Sequence, residues 1–238
     1  MASDLDEIRD RITWCGNRSL VLSAQIDQFI SSGAYQISHE VDPGTGDGTY
    51  FLQLRKAVPT DFRIEAGAIV HELRASLDNL ACVLAIRNGG SAKNTYFPVS
   101  RSLAIFENDG LKRKLRYLSE ADRKVIAALK PYDGGNPLLF ALHNCDLTRK
   151  HQRLIATAGG IHQFGIGNAA ITTLEMLQTG PITTKRQPFA RLGKGTHVDI
   201  TIGIDISFSE PDAIKGRPVS TVLRDFTSLV HSIVDLFD

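Results

Sequence analysis

Apolar residues recur every three or four positions through most of residues 1–152, then every second position nearer the end of the chain. Those two periods predict long helices followed by strands. Over residues 4–31 the seam is Leu5, Ile8, Ile12, Cys15, Ser19, Leu22, Ile26 and Phe29. Steps of three and four describe one helix packed along its length, capped by Ser3 or Asp4 and ended at Gly33. Residues 35–56 alternate instead. Tyr35, Ile37, His39 and Val41 mark one strand and Tyr50, Leu52 and Leu54 the next, joined by turn formers between Asp42 and Gly48. That is a hairpin.

A second long helix spans 60–88, capped by Thr60 or Asp61 and stopped by Asn88-Gly-Gly90. Residues 91–118 show no clear period and carry a basic cluster, Lys112-Arg-Lys-Leu-Arg116. A short helix at 119–130 opens on Ser119 with Asp122 three positions on, close to a capping box. Asn136-Pro137 then opens a third main helix, expected to reach about Gln152. From Arg153 the pattern turns to strands. The clearest is 197–208, with Val198, Ile200, Ile202, Ile204, Ile206 and Phe208 on one face. Segments near 153–160, 169–178 and 182–191 are expected to pair with it, and a final helix covers about 217–237. The fold class is α+β: long amphipathic helices packed with a mostly antiparallel sheet. One domain is expected over residues 1–238, with a helical core at about 1–152 holding the hairpin 35–56, and strands plus a last helix at 153–238.

Composition narrows the class little further. The 238 residues are 42% hydrophobic and 22% charged, and 27 basic against 26 acidic residues leave a net charge of +1. A balanced charge argues against bulk DNA or an anionic membrane as partner. The three cysteines, Cys15, Cys82 and Cys145, are far apart and form no C-x-x-C pair, which suits a reducing compartment and small buried thiols. The acidic start lacks an apolar segment of the signal-peptide kind, and the longest apolar run, Leu80–Ile86, is too short for a membrane span. A cytoplasmic location without membrane contact is expected.

Candidate chemistry concentrates on the helix at 60–88. At about 100° per residue, Phe62, Ala66, Ile69, Leu73, Leu77, Leu80 and Leu84 form the core stripe, and Glu65, Glu72 and Asn79 a wet one. His71, Arg74 and Asp78 share a third stripe, beside Gly67, Ala81 and Ala85. Small residues next to a His-Arg-Asp set imply close approach of another backbone, which must supply partners to the charges. The helix at 136–152 offers His143, Asn144, Asp146, Arg149, Lys150 and His151. The candidate ligand-binding set is His71, Arg74, Asp78, Asn144, Lys150 and His151. Two readings stay open: a network that ties helices together, or a site that positions a phosphate and acts on it as acid and base.

The run His71-Glu-Leu-Arg74-Ala-Ser-Leu-Asp78-Asn-Leu80 resembles the H-x-L-R-x-x-L-D-x-L signature of a widespread bacterial family of uncharacterised proteins. Tyr96-Phe-Pro-Val99, Leu129-Lys-Pro-Tyr-Asp-Gly-Gly135 and Leu142-His-Asn144 leading into Lys150-His151 follow in the family's order. Arg149 departs from the aspartate that the family carries before Lys-His. The resemblance covers residues 60–155 and implies a bacterial origin and a shared fold, but no activity. A second, looser resemblance rests on Arg224 and His231, seven residues apart on the last helix. It is similar to the R-x(4–6)-H motif of HEPN nucleases, whose chemistry arises where two copies meet. It implies Arg224 and His231 as catalytic candidates in a metal-independent ribonuclease.

No phosphate-loop, dinucleotide, zinc-protease or nucleophile-elbow motif is present. No metal or cofactor is expected. The leading expectation is a binding or scaffold module, open to homo-oligomer formation. A small anionic ligand at the His-Arg-Asp cluster and RNA cleavage are the alternatives.

Overall fold

A computed structural model describes residues 3–151, 157–177 and 182–238. The chain begins with α1 (Asp6–Ser31), then an antiparallel hairpin of β1 (Tyr35–Val41) and β2 (Gly48–Leu54), then α2 (Thr60–Arg87). A short α3 (Leu103–Ile105) runs into a π-helical stretch, Phe106–Lys114. Next come α4 (Glu120–Ala128), α5 (Pro137–His151), β3 (Thr157–Ala170), β4 (Leu174–Met176), β5 (Gln187–Leu192), β6 (His197–Phe208) and α6 (Val219–Val234), closed by a 3₁₀ turn at Asp235–Phe237. The fold is α+β, as the two periods predict.

Local chemistry explains several helix boundaries. Asn136 Oδ1 accepts the Leu139 N–H at 3.0 Å, and Ser119 Oγ accepts the Asp122 N–H at 3.0 Å, so α5 and α4 start on side-chain caps. The other two expected caps are not formed. The residue before α1 is Leu5 and the residue before α2 is Pro59, and neither side chain caps its helix. At α1, Ser3 Oγ instead accepts the Leu5 N–H at 3.2 Å. At α2, the fixed φ of Pro59 sets the helix entry. Gly89, at φ +71°, ends α2 in the left-handed region that glycine adopts without strain.

The strands divide differently from expectation. Among the described residues only β3 pairs with β6; β5 pairs with β2, and β4 with β5, giving a four-stranded sheet β1-β2-β5-β4 beside the two-stranded β3-β6. Of the expected segment 153–160, residues 157–160 lie among the described residues and open β3. An isolated hairpin is marginally stable. Adding β5 lets Leu52 and Leu54 bury with Phe189 and Ala190 against Ile202 and Ile204 of β6.

A larger core joins α1, α2, α5 and α6, with Ile206 and Phe208 from the other end of β6. That strand therefore feeds one apolar face into two cores. All seven residues of the α2 core stripe, from Phe62 to Leu84, are buried. The stripe expected to be wet is half covered: Arg18 of α1 donates to Glu65 at 2.6 Å, and Arg11 of α1 lies 3.7 Å from Glu72. Among the described residues no helix is long and apolar enough to cross a membrane.

Candidate functional site

The polar stripe of α2 meets α5 in three rungs. The stem of Arg149 lies over Gly67, where a Cβ would sit 2.9 Å from its Cδ. His71 Nδ1 is 2.9 Å from Asp146 Oδ1. Arg74 Nε lies 3.4 Å from His143 Nδ1. Residue numbers rise along α2 as they fall along α5, so the two helices run antiparallel. Gly67 is what permits the first rung, since any side chain there meets the arginine stem.

Beyond the third rung the network leaves α5. Arg74 donates through Nη1 to Asp78 Oδ1 at 2.8 Å and through Nη2 to the Phe97 carbonyl at 2.7 Å. Asp78 Oδ1 also accepts the Phe97 N–H at 3.0 Å. Both main-chain groups of Phe97 are thereby satisfied by one i,i+4 pair, which fixes the segment Thr95–Ser100 on the side of α2. Arg74 is 6% exposed. A guanidinium stays charged when buried, so this pairing is the condition for burying it.

The two ends of the seam differ in access. At the Arg74 end the guanidinium is buried, with Asp78 beside it part-exposed. At the other end, the His71 side chain is 34% exposed while Asp146 is 3% exposed. A carboxylate only accepts, so His71 Nδ1 donates to it and Nε2 is left available. Among the described residues Nε2 has no partner, and neither has the Arg149 guanidinium. Gly67 and His71 are one helical turn apart, so Arg149 and the imidazole stand on neighbouring parts of one surface. A cation and an oriented imidazole beside each other can take two oxygens of an anion, or exchange a proton with it.

The candidate set is thus brought together only in part. His71, Arg74 and Asp78 meet α5 as their shared stripe predicts, but through His143, Asp146 and Arg149. Asn144 is not among the rungs: two residues before Asp146, it lies about 200° around α5 and lines a separate cavity. Lys150 and His151 end α5, and their side chains lie outside the described residues. Spacings of three along α5, read against the buried Leu139, Leu142 and Cys145, mark His143, Asp146 and Arg149 as the partners.

Arg224 and His231 stand apart from the seam on α6. His231 Nδ1 is 2.8 Å from Asp235 Oδ2 within the same helix end. Arg224 lines a groove of about 390 Å³ between α1 and α6, with Ser19, Ser23, Ser220 and Thr227. The basic cluster is largely paired: Arg113 and Lys114 with Asp109, Lys112 with Asn108 at 3.0 Å, and Arg116 over the Tyr117 ring at 4.5 Å. Among the described residues no group of three or more His, Cys, Asp or Glu is placed to hold a metal ion. No protein-family model, curated protein or solved structure matches the chain significantly.

Proposed function

We propose that the protein binds a small phosphate-bearing ligand at the open end of the α2–α5 seam. The observation that supports this most is the His71–Asp146 pair, a partly exposed imidazole on a buried carboxylate, beside an Arg149 guanidinium with no partner among the described residues. Arg149 takes the anion as a planar two-pronged donor. His71, its ring set by Asp146, donates to the same anion from Nε2 when protonated and accepts the proton of a phosphate monoester when neutral. Arg74 and Asp78 act behind this surface as the fixture of the helix pair.

Thermal unfolding and calorimetric titration with inorganic phosphate, AMP and citrate test the reading. A ligand at about 100 times its Kd adds about 2.7 kcal/mol of stability. Wild-type protein responds to a phosphate-bearing probe, and Arg149→Gln keeps its ligand-free melting temperature but loses about tenfold or more in affinity. If no phosphate probe shifts the wild type at millimolar concentration, the seam is only a helix fixture and the protein a scaffold. Cleavage of an RNA panel that disappears in Arg224→Ala and His231→Ala, and survives in Arg149→Gln, moves the function to α6.

A further inference from the structure

Among the described residues β1 is an outer strand, paired with β2 on one side and with no strand on the other. Its ladder to β2 is regular over all seven residues, from Tyr35 opposite Leu54 to Val41 opposite Gly48. The Asp42 N–H donates to the Asp47 carbonyl at 2.8 Å, and the Arg55 N–H to the Ala34 carbonyl at 2.7 Å. Even-numbered residues therefore turn their main-chain groups toward β2. The direction alternates along an antiparallel strand, so the N–H and C=O of Tyr35, Ile37, His39 and Val41 point outward. Folded proteins blunt such an edge with proline, lysine or a bulge. Tyr35-Gln-Ile-Ser-His-Glu-Val41 contains neither residue, and its ladder has no bulge.

The strand is complementary to a second copy of itself. Antiparallel pairing about a two-fold axis at Ser38 sets Tyr35 opposite the second copy's Val41, Gln36 opposite its Glu40, Ile37 opposite its His39, and Ser38 opposite its Ser38. Every outward main-chain group then meets another, in about eight hydrogen bonds, close to the roughly ten of a typical protein interface. Any shift that keeps outward groups facing each other moves by two residues and leaves two of the seven unpaired. Charge favours the same register. Arg55 Nε and Nη2 donate to Gln36 Oε1 at 3.0 and 2.8 Å, and among the described residues no carboxylate pairs with this guanidinium. The second copy's Glu40 would stand opposite Gln36 on the same sheet face, with Cβ atoms about 5 Å apart. Glu40 Oε1 lies 2.6 Å from Arg186 Nη1, which leaves Oε2 to meet Arg55. Symmetry makes this ion pair twice, and no like charges face each other. Val41, 57% exposed, gains cover from the second copy's Tyr35.

We infer that β1 pairs with β1 of a second copy, so that two four-stranded sheets become one continuous sheet across a homodimer. Main-chain pairing holds the two edges together, and the Arg55–Glu40 contacts select the register. None of these residues belongs to the α2–α5 seam, so phosphate binding and edge pairing are independent of each other.

Sedimentation velocity of the full-length chain over a dilution series, with amide hydrogen exchange on the same samples, tests it. The wild-type protein reaches twice the mass of one chain at high micromolar concentration and returns to a single chain on dilution. In the concentrated sample the outward Ile37 and His39 amides are protected along with those of Ser38 and Glu40; after dilution only Ser38 and Glu40 keep their protection. Arg55→Glu and Glu40→Arg each weaken the dimer about tenfold or more, and the double variant recovers part of the loss because opposite charges face each other again. His39→Pro removes an outward donor while leaving the ladder to β2 intact, and it sediments as a monomer. Hydrogen exchange on the wild type decides the matter even if a variant fails to fold. The inference is overturned if the wild type stays a single chain at high micromolar concentration, if a dimer forms whose Ile37 and His39 amides exchange freely, or if the folded Arg55→Glu protein dimerises undiminished.

Discussion

Arg74 is a buried charge whose three guanidinium nitrogens face Asp78, the Phe97 carbonyl and His143. Asp78→Ala removes the only carboxylate in that set and leaves the charge buried, a change that costs about 3–5 kcal/mol. Chemical denaturation of the variant measures it directly. The double variant Arg74→Met, Asp78→Leu recovers only part of the loss, since an apolar pair removes the unpaired charge but leaves the buried Phe97 N–H and carbonyl without their partners. The cysteines give a second check at this scale. Cys15 and Cys145 are buried and their thiols are pushed up to about 12, chiefly by burial, whereas Cys82 is half-buried. A maleimide reagent at pH 8 therefore labels Cys82 first in the folded chain and labels all three only after denaturation, as intact mass shows. The stripe of His71, Arg74 and Asp78 is legible in the sequence because i, i+3 and i+7 share a helix face. Their partners are harder to read. Polar residues crowd the end of α5: the seven-residue step joins Asn144 to His151 and the i,i+4 step joins Asp146 to Lys150, whereas the phase set by the buried Leu139, Leu142 and Cys145 selects His143, Asp146 and Arg149. The Phe97 partner is a main-chain group, which no side-chain pattern reveals.

At the scale of elements, Gly67 links packing to binding. Gly67→Ala brings a helix gain of about 1 kcal/mol but pushes a Cβ into the Arg149 stem, the far part of a flexible side chain that can yield. The variant is expected to melt within a few degrees of wild type while phosphate affinity falls, a split that thermal unfolding and calorimetry resolve on one sample. Capping gives a plainer case. Ser119→Ala removes the acceptor for the Asp122 N–H and costs about 1 kcal/mol, measured by denaturation. Helices and the hairpin follow from periodicity because each is set by local spacing. The partition of the later strands does not, because β4 and β5 join the hairpin sheet through contacts distant in sequence. The π-helical turn at Phe106–Lys114 is equally hidden. Its i→i+5 bond, Leu115 N–H to the Gly110 carbonyl at 3.0 Å, has no hydrophobic period of its own.

Across the whole molecule, Arg87 at the end of α2 gathers both ends of the chain. It pairs with Asp4 and donates through Nη1 to the Phe237 carbonyl at 2.6 Å. Hydrogen bonding to Arg87 holds the Asp4 carboxyl below its ordinary value. A lowered folded-state value stabilises the protein above the unfolded one, near 3.8, and that stability is lost as pH falls through the folded value. Asp4 is half exposed, so the pair contributes under about 1 kcal/mol. Asp4→Asn therefore melts slightly lower than wild type at neutral pH, and the gap closes in acid below pH 3.8. The larger claim is that the α2–α5 seam buries the Arg74 guanidinium and leaves the His71 imidazole accessible to a ligand. Histidine side-chain NMR during a phosphate titration addresses it most directly. The His71 resonances move with phosphate in wild-type protein and stay still in Arg149→Gln, while those of His231, on α6, stay still in both. His71 resonances that ignore millimolar phosphate in the folded wild-type protein would contradict the account.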